Sequence, residues 1–150
     1  MTQIPMIKHI NIKPYDHETL YSAVGKIIEN AQEWEKEYRE CIIANGISMN
    51  TLERKTLIKI SQKLKKKKKL TQAQYDDIAQ IIELRNRINH SFFIEFADKI
   101  KSEQDWFDME DYLNTVMALI FEARDFANNL KNANNQNHIH VPNVIEDKNI

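Results

Sequence analysis

Leu70-Thr71-Gln72-Ala73-Gln74-Tyr75-Asp76-Asp77-Ile78-Ala79-Gln80-Ile81-Ile82-Glu83-Leu84-Arg85-Asn86-Arg87-Ile88-Asn89-His90-Ser91-Phe92 is the stretch on which the fold turns. Thr71 with Gln74 three places on is a capping box, and Leu70 and Tyr75 hold the two positions of a hydrophobic staple. Beyond the cap, Ile78, Ile81, Ile82, Ile88 and Phe92 recur at helical spacing and form one apolar stripe. The spacing predicts a long amphipathic helix that either stops near Ser91 or continues to Ala97.

The same period runs outward in both directions. From Asp16, the residues Leu20, Val24, Ile27, Ile28, Ala31, Trp34, Tyr38, Cys41 and Ile42 make a stripe that ends at Asn45-Gly46, a good stop signal. A second helix is predicted to open at Asn50, with Glu53 at the capping-box position and Leu57, Ile60 and Leu64 inward. Ser102 with Asp105 opens a further helix that turns Trp106, Met109, Leu113, Val116, Met117, Ile120, Ala127 and Leu130 inward. The Asn-rich residues 132–137 are too polar to pack and predict a loose tail. Residues 1–14 are expected to dock as an extended arm. The fold class is therefore all-α, an antiparallel up-down four-helix bundle over residues 1–131 with a flexible tail over 132–150.

Composition agrees. The 150 residues include 42% hydrophobic and 29% charged side chains, enough for a core and a solvated surface, and only 2 Gly and 3 Pro leave little for hairpins. The single Cys41 excludes an intramolecular disulfide and a thiolate metal cluster, and suits a reducing cytoplasm. Residues 1–14 lack the apolar core of a signal peptide, and no apolar run approaches 18 residues, so the expected location is cytoplasmic, without a membrane. The formal charge of −1 hides an asymmetry: residues 53–69 hold nine Lys/Arg against one Glu, a net +8 that leaves −9 elsewhere. Lys65, Lys66, Lys67, Lys68 and Lys69 form a strip able to attract a polyanion such as RNA, or to serve as a solvated loop.

Arg85 and His90 combine a permanent cation with the side chain that titrates near neutral pH. Positions five apart on a helix differ by about 140°, whereas Asn86 and His90, four apart, share a face. Arg85 and His90 of one chain thus point apart, and pairing two copies across a two-fold axis would gather both around one cleft. A homodimer is the expected working unit.

The run Leu84-Arg85-Asn86-Arg87-Ile88-Asn89-His90-Ser91-Phe92-Phe93 resembles the R-x(4–6)-H signature of the HEPN superfamily, the higher eukaryotes and prokaryotes nucleotide-binding domains. Asn86 fits that family's preference for a polar residue after the arginine, and the bundle extends the resemblance to most of residues 19–130. The resemblance implies a metal-independent endoribonuclease without cofactor, a toxin or antiviral-defence effector whose partners are RNA, a second copy and a restraining antitoxin or regulatory protein. It implies His90 as general acid/base, Arg85 as the group that steadies phosphate, and Asn86 as the group that orients the RNA or the His90 ring. In HEPN toxins silenced by nucleotidyltransferase antitoxins a tyrosine stands two places after the histidine; here that place is Phe92, which excludes nucleotide transfer there. The alternative is a non-catalytic HEPN-like module that binds RNA, nucleotide or protein.

Other features read more plainly. Arg87 is expected on the solvent side or paired with Glu83. Trp34, Trp106, Phe107, Tyr112, Phe121 and Phe126 are expected mostly in the core, and Phe92 and Phe93 in the core or a dimer seam. His138 and His140 form an H-x-H with nothing nearby to complete a metal site. No glycine-rich phosphate loop, nucleophile elbow or zinc-ligand spacing is present.

Overall fold

A computed structural model describes residues 8–50 and 56–140, of which 97 and 134–140 as backbone alone. The described residues contain five α-helices and no strand: α1 (His17–Ala44), α2 (Leu57–Lys66), α3 (Gln72–His90), α4 (Phe92–Phe96) and α5 (Glu103–His140), with a 3-10 turn over Ala97–Lys99. None of these helices is long and apolar enough to cross a membrane.

Local chemistry sets most of the ends. Asp16 caps α1 by accepting from the Glu18 amide, and the Thr71–Gln74 box closes on α3 in both directions. Ser102 and Asp105 exchange the same reciprocal bonds at α5, the Asp105 amide donating to Ser102 Oγ and the Ser102 amide to Asp105. The Lys101 and Ser102 amides hold the Asp105 carboxyl below its usual range. Its folded value is depressed, so its contribution is present above about pH 4 and fades as pH falls through that lowered value. The expected start of α2 at Asn50 with Glu53 falls partly on residues 51–55, outside the described residues; the described helix opens after Thr56.

Two helices end in the same Schellman geometry. At α1 the Ile47 amide reaches Ile42 O and the Gly46 amide reaches Ile43 O, with Gly46 at φ +64. At α2 the Lys69 amide reaches Leu64 O and the Lys68 amide reaches Lys65 O, with Lys68 at φ +61. Glycine takes that conformation freely, whereas an L side chain in it costs about 1–2 kcal/mol.

The direction of each helix follows from side-chain pairs. His17 meets Trp106 at 5.1 Å between ring centroids, Arg124 donates to Asn30 (2.8 Å), the Cys41 thiol lies 3.5 Å from Ala127 O, and Lys131 bridges Glu37 and Glu40. The numbers rise together, so α1 and α5 run parallel. Arg85 pairs with Glu35, and Phe93 meets Tyr21, so α3 and its continuation run against α1. The α2–α3 hairpin, with Lys65 over Tyr75, then places α2 in the direction of α1. This corrects the up-down expectation: a strict four-helix alternation would set the first and last helices antiparallel. The five-residue connector reverses the chain between α2 and α3.

The core lies between these faces and contains Trp34, Tyr38, Phe92, Trp106, Leu113 and Ile120, all buried. Each large apolar side chain taken fully from water is worth about 1.5–3 kcal/mol. The predicted inward residues of α1, α2, α3 and α5 join or pack against this cluster, Ile28 and Leu130 at its margin, apart from Cys41, which is buried. Cys41 is buried and its thiol is pushed up to about 11, which leaves it an inert small hydrophobe. Phe107 departs from expectation, since it is 43% exposed. Through the Asn-rich run α5 continues as helix to His140. Residues 141–150, and the side chains of His138 and His140, lie outside the described set.

Of the expected arm, residues 1–7 lie outside the described residues, and residues 8–12 dock through α5. Asn114 Oδ1 accepts from the His9 and Ile10 amides (2.9 and 2.8 Å), and its Nδ2 donates to Ile10 O (2.9 Å). Glu110 accepts from the Ile12 amide (2.7 Å) and pairs with Lys8 (2.7 Å). Ile10 and Ile12 are thereby buried with their backbone satisfied. Asn114→Ala, which leaves a buried amide, a part-buried amide and a carbonyl unpaired, is expected to cost about 2–3 kcal/mol in urea unfolding. Hydrogen exchange at Ile10 should rise well before that at Leu113; equal protection in the variant would show that the arm is held by other means.

Candidate functional site

The α3 helix turns by about 100° per residue, and that rotation decides where each motif side chain goes. Ile78, Ile81, Ile82 and Ile88 define the buried arc, and Arg85 falls in its middle. His90 and Asn86 fall on the opposite, exposed side. Within one copy the structure therefore does not bring Arg85 and His90 together.

Arg85 crosses to α1, where its Nη2 donates to Glu35, while its Nη1 donates to Asn86 Oδ1 (2.9 Å). The side chains of Arg85 and Glu35 are only 17% and 18% exposed. Burial lowers the Arg85 pKa, and the Glu35 carboxylate is the anion that faces the guanidinium. Arg85 Nε and Asn89 Oδ1, a donor and an acceptor one turn apart, are both buried without a hydrogen-bond partner among the described residues.

The helix breaks just after His90. Ser91 takes φ −135 and ψ −1 as the C-cap, its amide reaching Arg87 O, and its hydroxyl donates to Glu95. Both sequence alternatives are met in part: α3 stops at His90, and helix resumes at once as α4. Arg87 lies on the solvent side, as one expectation had it, but the carboxylate it meets is Glu95 at 4.0 Å and not Glu83. Phe92 is buried and belongs to the core. Phe93 and Ile94 face outward, 40% and 82% exposed.

Lys65, Lys66, Lys67, Lys68 and Lys69 are exposed at the other end of α3. Eighteen residues of helix separate Gln72 from His90, about 27 Å, and Asp76 and Glu83 stand on His90's side of that helix. The lysine strip and His90 are thus held apart. Among the described residues no three His, Cys, Asp or Glu side chains gather to hold a metal ion.

Two features escaped the sequence. Glu35 is fifty positions from Arg85 and carries no spacing signal; only the packing of α1 on α3 reveals it. The second is an apolar surface at the His90 end. Among the described residues, five of the six large exposed hydrophobics, Tyr15, Tyr21, Phe93, Ile94 and Phe107, lie there, and Tyr15 holds φ +64. Tyr21 and Phe93 meet edge to face (5.3 Å), and Tyr15 and His17 flank Trp106.

Comparison with family models, curated proteins and solved structures finds no match to this chain.

The Arg85–Glu35 pair generates a direct expectation. Glu35→Ala strands a half-buried guanidinium and should lower stability by about 1–3 kcal/mol, read by chemical denaturation. Glu95→Gln, at the exposed Arg87 pair, should change it by less than about 1 kcal/mol. Equal effects at the two positions would remove the special status of the buried pair.

Proposed function

We propose that this chain is one half of a metal-independent endoribonuclease of the HEPN type, completed when a second copy covers the apolar end beside His90. The observation that carries the reading is the coincidence of His90, exposed at the end of α3, with the cluster of Tyr15, Tyr21, Phe93 and Ile94. Contiguous exposed apolar surface of this kind marks an interaction site. A two-fold contact there sets the same residues of both copies around one cleft, which answers the divergence of Arg85 and His90 within a copy.

The chemistry suits the residues. His90 takes the proton of a ribose 2′-OH, the freed oxygen attacks the adjacent phosphorus, and a protonated imidazole supplies the leaving 5′-oxygen with a proton. Products are a 2′,3′-cyclic phosphate and a 5′-OH. Arg85 stabilises the charge gathering on phosphate oxygens, since its fork stays cationic and binds two oxygens at once. Asn86, hydrogen-bonded to Arg85, orients that fork. DNA lacks the 2′-OH and is spared. In this reading the cell restrains the enzyme through a regulatory protein, and its site of action is the cytoplasm.

A second reading is favoured by one observation: Glu35 already satisfies Arg85 internally. On that basis Arg85 is a tether between α1 and α3, and the chain is a binding module that cuts nothing.

Cleavage of single-stranded RNA in excess EDTA separates the two. The parent is expected to leave 2′,3′-cyclic ends, His90→Ala to fall by about 10²–10⁴-fold, and Arg85→Lys to fall by about 10²-fold or more with its melting temperature nearly kept. Lysine keeps the charge facing Glu35 and loses the fork, so stability and activity part company. An inert parent that still binds RNA assigns the module. In sedimentation at micromolar concentration the parent should be a dimer and Ile94→Asp a monomer with little activity; a monomeric parent would remove the composite site.

A further inference from the structure

We infer that the basic turn joining α2 to α3 is a second RNA-anchoring point, which holds the phosphate backbone of single-stranded RNA at a distance from the bond that is cut. This rests on the proposed ribonuclease reading and adds to it a grip on the substrate that the His90 end does not contain.

The turn is more basic than helix termination requires. Cations in the last turn of a helix offset the negative end of its dipole, and Lys63, Lys65 and Lys66 already do so for α2. Lys67, Lys68 and Lys69 lie beyond that turn, crowd like charges together and form no ion pair among the described residues. Lys65 is the one that leans on a neighbour, its ammonium 5.0 Å from the centre of the Tyr75 ring. Gln62, Lys65, Lys66 and Tyr75 line a shallow pocket of about 270 Å³ that offers cations and an aromatic face together.

Lys68 is the sharper observation. The chain ends α1 and α2 with the same pair of backbone bonds and sets Gly46 at the left-handed position of the first but Lys68 at that of the second. A sequence shaped only to stop the helix would have glycine or asparagine there. Strain kept at a cationic side chain on an exposed turn points to a use for its charge.

The occupant follows from charge and place. A dense lysine cluster attracts a polyanion, and flexible attachment to successive phosphates beside an aromatic ring is the way proteins hold single-stranded nucleic acid. About 27 Å of helix lies between this turn and His90, and Asp76 and Glu83 stand on the way. The turn therefore grips RNA outside the cleavage site, and its effect falls on binding.

The test uses the full-length His90→Ala protein, so that binding is read without cleavage, with a 20-nucleotide fluorescent RNA followed by anisotropy across a salt series. Adding Lys66→Gln, Lys67→Gln and Lys68→Gln is expected to raise Kd at least tenfold in low salt. The slope of log K against log salt should flatten by about 2, near 0.7 for each phosphate that the lysines no longer neutralise. Lys68→Gly alone should raise the melting temperature while weakening RNA binding. A raised melting temperature with unchanged Kd and salt slope would overturn the inference and leave the lysines as a solvated stop. Binding of poly-glutamate, with RNA ignored, would assign the turn to an acidic protein and overturn it equally. Because the readout is binding, a parent that cuts no RNA but loses its grip in the triple variant refutes the nuclease and not the anchor.

Discussion

A helix advances by about 100° per residue, and on α3 that constraint assigns every motif side chain its surroundings. The four isoleucines must face α1 and α5, because nothing else on α3 supplies enough apolar surface. Once they do, Arg85 has nowhere to go but inward. A guanidinium in that position is tolerable only with an anion opposite, and Glu35 on α1 provides it. The parallel pairing of α1 with α5 and the opposed run of α3 bring Glu35 to the right level. The same rotation sends His90 out to solvent, at the end where the Ser91 break exposes Phe93 and Ile94. One geometric rule therefore produces both the buried ion pair and the divided motif.

Much of the fold was legible because its signals are local. The Thr71–Gln74 and Ser102–Asp105 caps, the Asn45-Gly46 stop and the 3.6-residue stripes each depend on neighbours within a few positions, and all are realised. What was not legible depends on the direction in which distant helices meet. Nothing in the stripe of α1 states whether α5 runs along it or against it; the ion pairs of Lys131 and the Asn30–Arg124 bond settle that in three dimensions. The helical backbone of the Asn-rich segment was not legible for a related reason. Its polarity argues against packing, yet α5 enters it already formed, and adding a residue to an existing helix avoids the cost of nucleation. Phe107 shows the converse, an aromatic residue on a helix whose inward arc is already filled by Trp106 and Met109.

The candidate site divides along the same line. The offset of Arg85 from His90 could be read from residue numbers alone. Glu35 could not, because an ion pair between helices has no spacing. Nor could the strain at Lys68, since a lysine run looks the same whatever its backbone does. The apolar end was visible only as scattered letters, Tyr15, Tyr21 and Ile94, until the fold collected them beside His90. These three features change the account from one motif with its charges to a molecule with two separate ends, one apolar and titratable, the other basic.

The central claim is that Arg85 of one copy works with His90 of another. Mixed dimers formed by co-refolding Arg85→Lys with His90→Ala test it most directly, each variant being nearly inert alone. In a shared site, half the dimers are mixed and each mixed dimer keeps one complete pair, so the mixture should recover about a quarter of the parent's RNA cleavage. A mixture as inert as its components, beside an active parent, would place both residues in the same copy and contradict the account.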